Sequence, residues 1–418
     1  MGERVAFSMI NNQGSASEKK SNPILMGIDV PLAAIVFILI LFGLLMVYSA
    51  SWDFSFRNEG SDTSIFLRQL LWLGIGIGAM LGVTFLIDYH RWEKWSIWLM
   101  IGTIGLLMFL FFIGKPFLGS TRALINQSGR PSELAKYATI IYLAVWLIAR
   151  REVLNSWILG LSPLIIMLGF LGALIYVQPD LSAAITLVTL GILMFALAGS
   201  SLQRILVLVI GMFLVGMLFV SFSTTGNRRM NEYSLGIVEP TKASDHVQLA
   251  LGSFIQGGWF GVGIGNSATK LTGLPIPHTD SIFAVVGEET GVIGTTLLIA
   301  AYIFLLWRCL IISANAPDML GRLIAGGLGF WIVMEALINM GGLTGTLPFA
   351  GNVLPFVSYG GTNLIITLVA VGTILNISRQ STQKQKERTQ PFNAVVDLRG
   401  RHGRRRIPRP VYPTNHEG

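Results

Sequence analysis

The sequence predicts an all-α polytopic membrane bundle of about ten transmembrane helices, and three observations carry that expectation. The first is composition. Of the 418 residues 52% are hydrophobic and 12% charged, with mean hydropathy +0.63, too apolar and too poor in charge for a water-soluble chain of this length. The second is that the apolar residues come in runs of about 20, which cross a bilayer as helices rather than as alternating barrel strands. The third is a basic C-terminus after the last run, with Arg379, Lys384, Lys386, Arg388, Arg399, Arg401, Arg404, Arg405, Arg406 and Arg409, a mark of a cytoplasmic segment. The formal charge of +8 does not point to nucleic acid, because the cations sit in tails and loops where they orient the chain and meet anionic lipid. The single cysteine, Cys309, lies in an apolar run, so it forms no intrachain disulfide and matches no metal spacing.

Runs of spanning length fall at 30–50, 66–87, 95–113, 133–149, 156–176, 181–198, 203–222, 282–312, 320–342 and 355–377. An even count puts both termini on one side, and the positive-inside rule makes that side cytoplasmic. The expected organisation is then a cytoplasmic tail at 1–29, a membrane domain at 30–378 and a basic tail at 379–418. Residues 223–281 form a large extracytoplasmic loop between spans seven and eight. The polar start leads into a span with no small-residue cleavage site, which argues against a removed signal peptide. Cations at Arg91 and Lys94, Arg150 and Arg151, Arg204, and Arg308 with Arg322 fall in the cytoplasmic turns. The outer loops carry cations too: Lys115, Arg122 and Arg130 in one, Arg228, Arg229, Lys242 and Lys270 in the long one. These work against the orientation rule. An anionic diphosphate or carboxylate ligand at the outer face would explain them; snorkelling, or pairing with loop acids, is the alternative.

The loop at 114–132 feeds into Pro131-Ser132-Glu133-Leu134-Ala135-Lys136. Ser132 reads as a helix N-cap, and Glu133 and Lys136 stand three apart on one face, either as a structural pin or as part of a polar cavity. In Gln178-Pro179-Asp180 the proline stops one helix and the aspartate can cap the next. The glycine-rich segment at 256–267 lacks the strand-to-helix setting of a nucleotide loop. Its glycines serve close backbone packing or re-entry, with Trp259 and Phe260 at headgroup level. Glycines and prolines at 339–363 predict broken helices lining a polar cavity.

The long loop ends in His278-Thr279-Asp280, followed by an apolar run that contains Glu288 and Glu289. Acids in or at the mouth of a membrane helix cost roughly 2.5–3.5 kcal/mol each to insert, so three within this short interval call for a use. Asp280, at the mouth, is the candidate catalytic group, with an exposed loop aspartate as the bland reading. His278 either orients it or caps the helix. Glu288 and Glu289, deeper in, read as internally paired.

Together these blocks resemble the SEDS family of cell-envelope proteins, the family of FtsW, RodA and SpoVE, over nearly all of 29–378. The most specific matches are Pro131-Ser132-Glu133-Leu134-Ala135-Lys136, the stretch 278–294, and the signature at 339–362 that contains Leu354-Pro355-Phe356-Val357-Ser358-Tyr359-Gly360-Gly361. The segments 46–51 and 257–267 are similar to the division branch more than to the elongation branch. The chain departs from the family pattern in four places. Thr121-Arg122-Ala123 replaces a double arginine and tryptophan, Arg130 replaces a glutamine, Ile276 an acid, and Ser281 a phenylalanine.

The resemblance implies a peptidoglycan glycosyltransferase that polymerises lipid II, an undecaprenyl diphosphate-linked disaccharide peptide, at the outer face of the bacterial cytoplasmic membrane for septal synthesis. It implies inversion, with Asp280 as general base and Arg122, Arg130, Glu133, Lys136, Lys270, His278 and Ser358 at the substrate. No cofactor or protein metal cage is expected, although a divalent ion such as Mg2+ bridging substrate phosphates would leave little trace in a sequence. A class B penicillin-binding protein transpeptidase and other divisome proteins are the implied partners. A lipid II flippase, a non-catalytic division scaffold and an elongation polymerase are the alternatives.

Overall fold

The computed structural model describes residues 27–113, 131–178 and 180–389, and among them the regular structure is helical. Twelve α-helices follow in order: α1 Val30–Glu59, α2 Ser64–Phe85, α3 Arg91–Ile113, α4 Pro131–Ala149, α5 Ser162–Val177, α6 Leu181–Leu197, α7 Leu202–Phe222, α8 Thr224–Val238, α9 Asp245–Gly257, α10 Ile282–Ala314, α11 Met319–Leu343 and α12 Gly361–Thr389. Each expected run falls on one of these. Among the described residues eight helical segments, α5 counted with its leading turn at Trp157–Leu161, are long and apolar enough to cross a membrane; α6 is shorter, and α3 opens on Arg91, Glu93 and Lys94. The protein is a multi-pass membrane protein.

Burial sorts the helices. Within their apolar windows α11 and α12 are 78% buried and α4 67%, whereas α7 is 6% buried. Ile210, Phe213, Leu214 and Leu218 of α7 are exposed, as a lipid-facing surface requires. Short polar ties fix the helix ends. Asp29 accepts from Leu32 N at α1 (2.9 Å) and pairs with Arg308 of α10; Asp180 caps α6 through Ala183 N (3.3 Å), the role its place after Pro179 predicts.

Three expectations shift. Ser132 is not the cap of α4, because the helix already starts at Pro131 and the Ser132 hydroxyl donates to Asp180 instead (3.1 Å). The last span begins at Gly361 rather than 355, since 344–360 is irregular, with Phe356 at φ +68°. Its helix then runs past 378 to Thr389. The long loop is folded, holding α8 and α9.

Helix α10 is broken at Gly291 (φ +68°), where a Cβ would lie 2.5 Å from both Gly261 N and Trp259 O. The glycine segment of the long loop crosses the break. Val262 N and Gly263 N donate to the carbonyls of Glu288 (2.9 Å) and Glu289 (3.1 Å), while Val292 N and Ile293 N donate to those of Gly258 (2.9 Å) and Trp259 (3.3 Å). Backbone groups that lipid could not satisfy are thereby paired. The arm before the break is buried in protein, whereas Val292, Ile293, Leu297 and Ile303 beyond it are exposed.

Candidate active site

At the mouth of α10, three successive carbonyls are held by side chains or backbone from the 339–363 signature. Tyr359 N donates to His278 O (2.8 Å), Ser358 Oγ to Thr279 O (2.7 Å), and Asn339 Nδ2 to Asp280 O (2.9 Å). Ser358 Oγ also accepts from Leu354 N (2.8 Å), and Asn339 Nδ2 from α11 also reaches Asn352 O. The backbone under Asp280 is therefore fixed, while its side chain is half-buried. The carboxylate lies over Gly351, whose absent Cβ would sit 3.3 Å from Oδ2. His278 is buried, its ring between Phe54 (4.9 Å) and Tyr359 (5.8 Å). Burial pushes its pKa down to about 4, so the ring is neutral at ordinary pH.

Beside Asp280 lies a cavity of about 730 Å³ between α8, α9 and the 344–349 strand of chain. Arg228, Arg229 and Lys242 bring positive charge to its wall, and Glu232 and Asp245 bring negative charge. Tyr233 OH donates to Thr346 O (3.0 Å) and Arg229 Nη1 to Ala350 O (3.3 Å), so α8 is tied over the loop that carries Gly351. His246 of α9 lines the cavity, stacks on Phe349 (4.4 Å, 20°) and meets Ser281 Oγ through Nδ1 (3.1 Å). Burial lowers its pKa, and the nearby charge of Asp280 works in the opposite direction. His246, Arg228, Arg229 and Lys242 thus line one solvent-reachable space with the Asp280 carboxylate close behind His246, an arrangement that suits deprotonation of a hydroxyl beside a departing anion.

The other expected substrate groups lie elsewhere. Lys136 is buried and bonded to Glu133 (2.9 Å) and Glu335, while Asn363 Nδ2 closes the remaining carboxylate oxygens of Glu133 (3.0 Å) and Glu335 (3.4 Å). Of the two readings for the Glu133 and Lys136 pair, the structure gives the pin. Lys270 turns inward to Glu289 (2.7 Å), Ser49 (3.0 Å) and Gly265 O (2.8 Å), not toward the cavity. Glu288 accepts from Ser267 Oγ (2.6 Å) and Ala268 N (2.7 Å), so both deeper acids are internally paired. Ser358 and His278 are buried beside Asp280: the Ser358 hydroxyl holds Thr279 O, and the His278 ring packs between Phe54 and Tyr359. Arg122 and Arg130 lie outside the described residues. Asn339 and His246 were not among the expected site residues, and Arg229 was noted only as an outward cation; a polar residue inside an apolar run is the signal that marks Asn339. Among the described residues no three His, Cys, Asp or Glu side chains gather as a metal site.

The family model for FtsW, RodA and SpoVE, described as cell cycle protein, matches residues 30–383. A probable peptidoglycan glycosyltransferase FtsW of Geobacter sp. (strain M18) is 38% identical over 363 residues, covering 84% of this chain and 97% of that protein. Stage V sporulation protein E of Bacillus subtilis (strain 168) is 36% identical over 374 residues, 87% of this chain and 99% of that one. Among solved structures, a chain from "Structural coordination of polymerization and crosslinking by a peptidoglycan synthase complex" aligns with TM-score 0.71 at 22% identity, over 86% of this chain and 99% of that one. The rod shape determining protein RodA of Thermus thermophilus aligns with TM-score 0.63 at 23% identity, over 86% and 99%. At these identities the structural likeness is one of fold.

Proposed function

Because the chain belongs to the FtsW, RodA and SpoVE family of cell cycle proteins, we propose that it is a peptidoglycan glycosyltransferase that polymerises lipid II, with Asp280 as its general base. The observation that carries this reading is the pinning of three carbonyls under Asp280, which fixes a carboxylate beside a cation-bearing cavity. In the inverting reaction Asp280 takes the proton of the acceptor sugar hydroxyl as its oxygen attacks the anomeric carbon of the donor. The bond from that carbon to the diphosphate breaks, and its electron pair leaves on undecaprenyl diphosphate. Arg228, Arg229 and Lys242 meet the developing charge, since contacts between guanidinium or ammonium and phosphate are the strong, charge-assisted kind. Arg122 and Arg130 are assigned to the same anionic group. His278 and Ser358 keep the base in register, Glu133 and Lys136 set the packing of α4 against α11, and Lys270 holds the broken arm of α10. A divalent cation such as Mg2+, where the reaction takes one, travels on the substrate diphosphate.

This reading puts the cavity at the outer face of the cytoplasmic membrane, both termini in the cytoplasm, and the enzyme at the division septum. Its partner is a class B penicillin-binding protein that crosslinks the new strands, within a larger divisome. The test is polymer formation from lipid II by purified protein. Asp280→Asn keeps shape and hydrogen bonding but removes basicity, and it abolishes polymerisation while leaving expression and partner copurification intact. Polymerisation within a few fold of the unsubstituted protein would overturn the assignment in favour of a flippase or a scaffold.

A further inference from the structure

At the far end of the bundle from Asp280, the end of α2, the turn into α3, the turn before α11 and the C-terminal part of α12 enclose a second cavity of about 500 Å³. Helix α11 runs from this cavity, at its cap Asp318, to Asn339 under Asp280, a rise of about 30 Å, or one hydrocarbon thickness. The cavity has two kinds of wall. Phe85 and Leu86 form an apolar lip, Leu86 being 78% exposed. Arg91, Arg379 and Lys384 supply three cations.

The acids of this region are already engaged. Asp88 Oδ1 accepts from His90 N (3.0 Å) and Gln380 Nε2 (3.0 Å) and meets His90 Nδ1 (2.8 Å). Asp318 accepts from Gly321 N (2.8 Å) and Tyr89 OH (2.7 Å) and meets His90 Nε2 (2.8 Å). The carboxylates and His90 thus form a closed clamp between the α2–α3 turn and the start of α11. Arg379 lies over the Phe85 ring (5.3 Å) and donates to Thr84 O (3.4 Å). Among the described residues no carboxylate pairs with Arg91, Arg379 or Lys384.

We propose that this cavity binds the headgroup of an anionic phospholipid, with its phosphate among Arg91, Arg379 and Lys384 and its acyl chains along Phe85 and Leu86. Guanidinium and ammonium groups with no carboxylate partner among the described residues, set at the end of spanning helices, recognise phosphate by charge-assisted hydrogen bonds. The apolar lip distinguishes a lipid from a soluble phosphate, which would gain nothing from Leu86. The inference does not depend on the chemistry assigned to Asp280.

The experiment places a photoreactive benzoylphenylalanine at Leu86 in the full chain, held in micelles with labelled phosphatidylglycerol. Crosslinking is expected, with unlabelled phosphatidylglycerol competing and phosphatidylcholine or glycerol phosphate not. The paired variant Arg91→Gln and Lys384→Gln lowers crosslinking roughly tenfold, since each cation near a membrane surface contributes measurably to anionic lipid binding, and it leaves lipid II polymerisation unchanged. The same reporter at Leu218 on lipid-facing α7 labels without headgroup preference. Equal competition by phosphatidylcholine, equal selectivity at Leu218, or unchanged crosslinking in the paired variant would overturn the proposal. Competition by glycerol phosphate as good as by the lipid would replace the lipid with a soluble phosphate.

Discussion

The interior of the bundle and the mouth of α10 hold the same kinds of charged side chain under opposite conditions. Inside, Lys136 is closed by Glu133 and Glu335, and Lys270 by Glu289, Ser49 and a carbonyl. At the mouth, His246 and Arg229 line a cavity of about 730 Å³, and Asp280 lies close behind His246, near enough for its charge to be felt there. A buried charge closed by its partners cannot exchange them for substrate without exposing an uncompensated ion. A charge at the edge of a cavity can trade its contacts without being stranded in the interior. The same residue types are therefore closed off in one region and reachable in the other because of what surrounds them.

The widest separation between the two regions is expected in catalysis. Asp280→Asn lowers lipid II turnover by about 10²–10⁴-fold, the usual share of a general base, with an unfolding midpoint in detergent within a few degrees of the unsubstituted protein. A large drop in that midpoint would return Asp280 to the structural class. Next comes Lys136→Met, which leaves two carboxylates buried together and costs about 3–5 kcal/mol of stability. Adding Glu335→Gln restores part of the loss. If Lys136→Met unfolds normally yet fails to polymerise, the pin reading is wrong.

A smaller effect follows from His278, whose pKa is about 4 in the fold against about 6.5 unfolded. The folded state takes up its proton later than the unfolded chain as pH falls. The contribution is therefore fully present above about pH 6.5, declines by roughly 1.4 kcal/mol per unit on acidification, and levels off below about pH 4. Comparing unfolding midpoints of the unsubstituted protein and His278→Gln across pH 7 to 4 should show a difference that shrinks with acid. A constant difference would mean that folding leaves the His278 pKa unshifted. The smallest effect belongs to Arg229→Gln, for which we expect a roughly tenfold rise in KM for lipid II at near-constant kcat, as loss of one charged hydrogen bond gives. Unchanged KM would confine Arg229 to its tie with Ala350 O.

The helices were legible because apolar runs of spanning length have few alternatives in lipid, and the place of Asp280 at a helix mouth because the apolar run starts just after it. Position 355 as a helix start was not. Pro355 is followed by Phe356 in a left-handed conformation, and the turn is held by Ser358 Oγ and by Tyr302 reaching Pro355 O from α10, contacts invisible to a local pattern. The roles of Lys136 and Lys270 were obscured for the same reason. Glu335 lies 199 residues from Lys136, and spacing showed only that Glu133 was near. The deeper acids were legible as paired, but not their partners. His246 gave no sign, since only the fold brings α9 against Ser281, where the family pattern has phenylalanine and this chain offers a hydroxyl.

The joint at Gly291 also bears on biogenesis. A helix broken inside lipid exposes donors and acceptors at several kcal/mol each, and here their partners, Gly258, Trp259, Val262 and Gly263, are synthesised before the arm they splint. The short arm 282–290 can thus enter a berth already made by the chain ahead of it, and it never has to reside in lipid alone. With a plain polar linker in place of 258–263, α10 would either insert as one straight rod of 33 residues or keep an open break. As a straight rod it would carry Asp280 away from Asn339 and Ser358, so the long loop is a folding template for the candidate site as well as its wall.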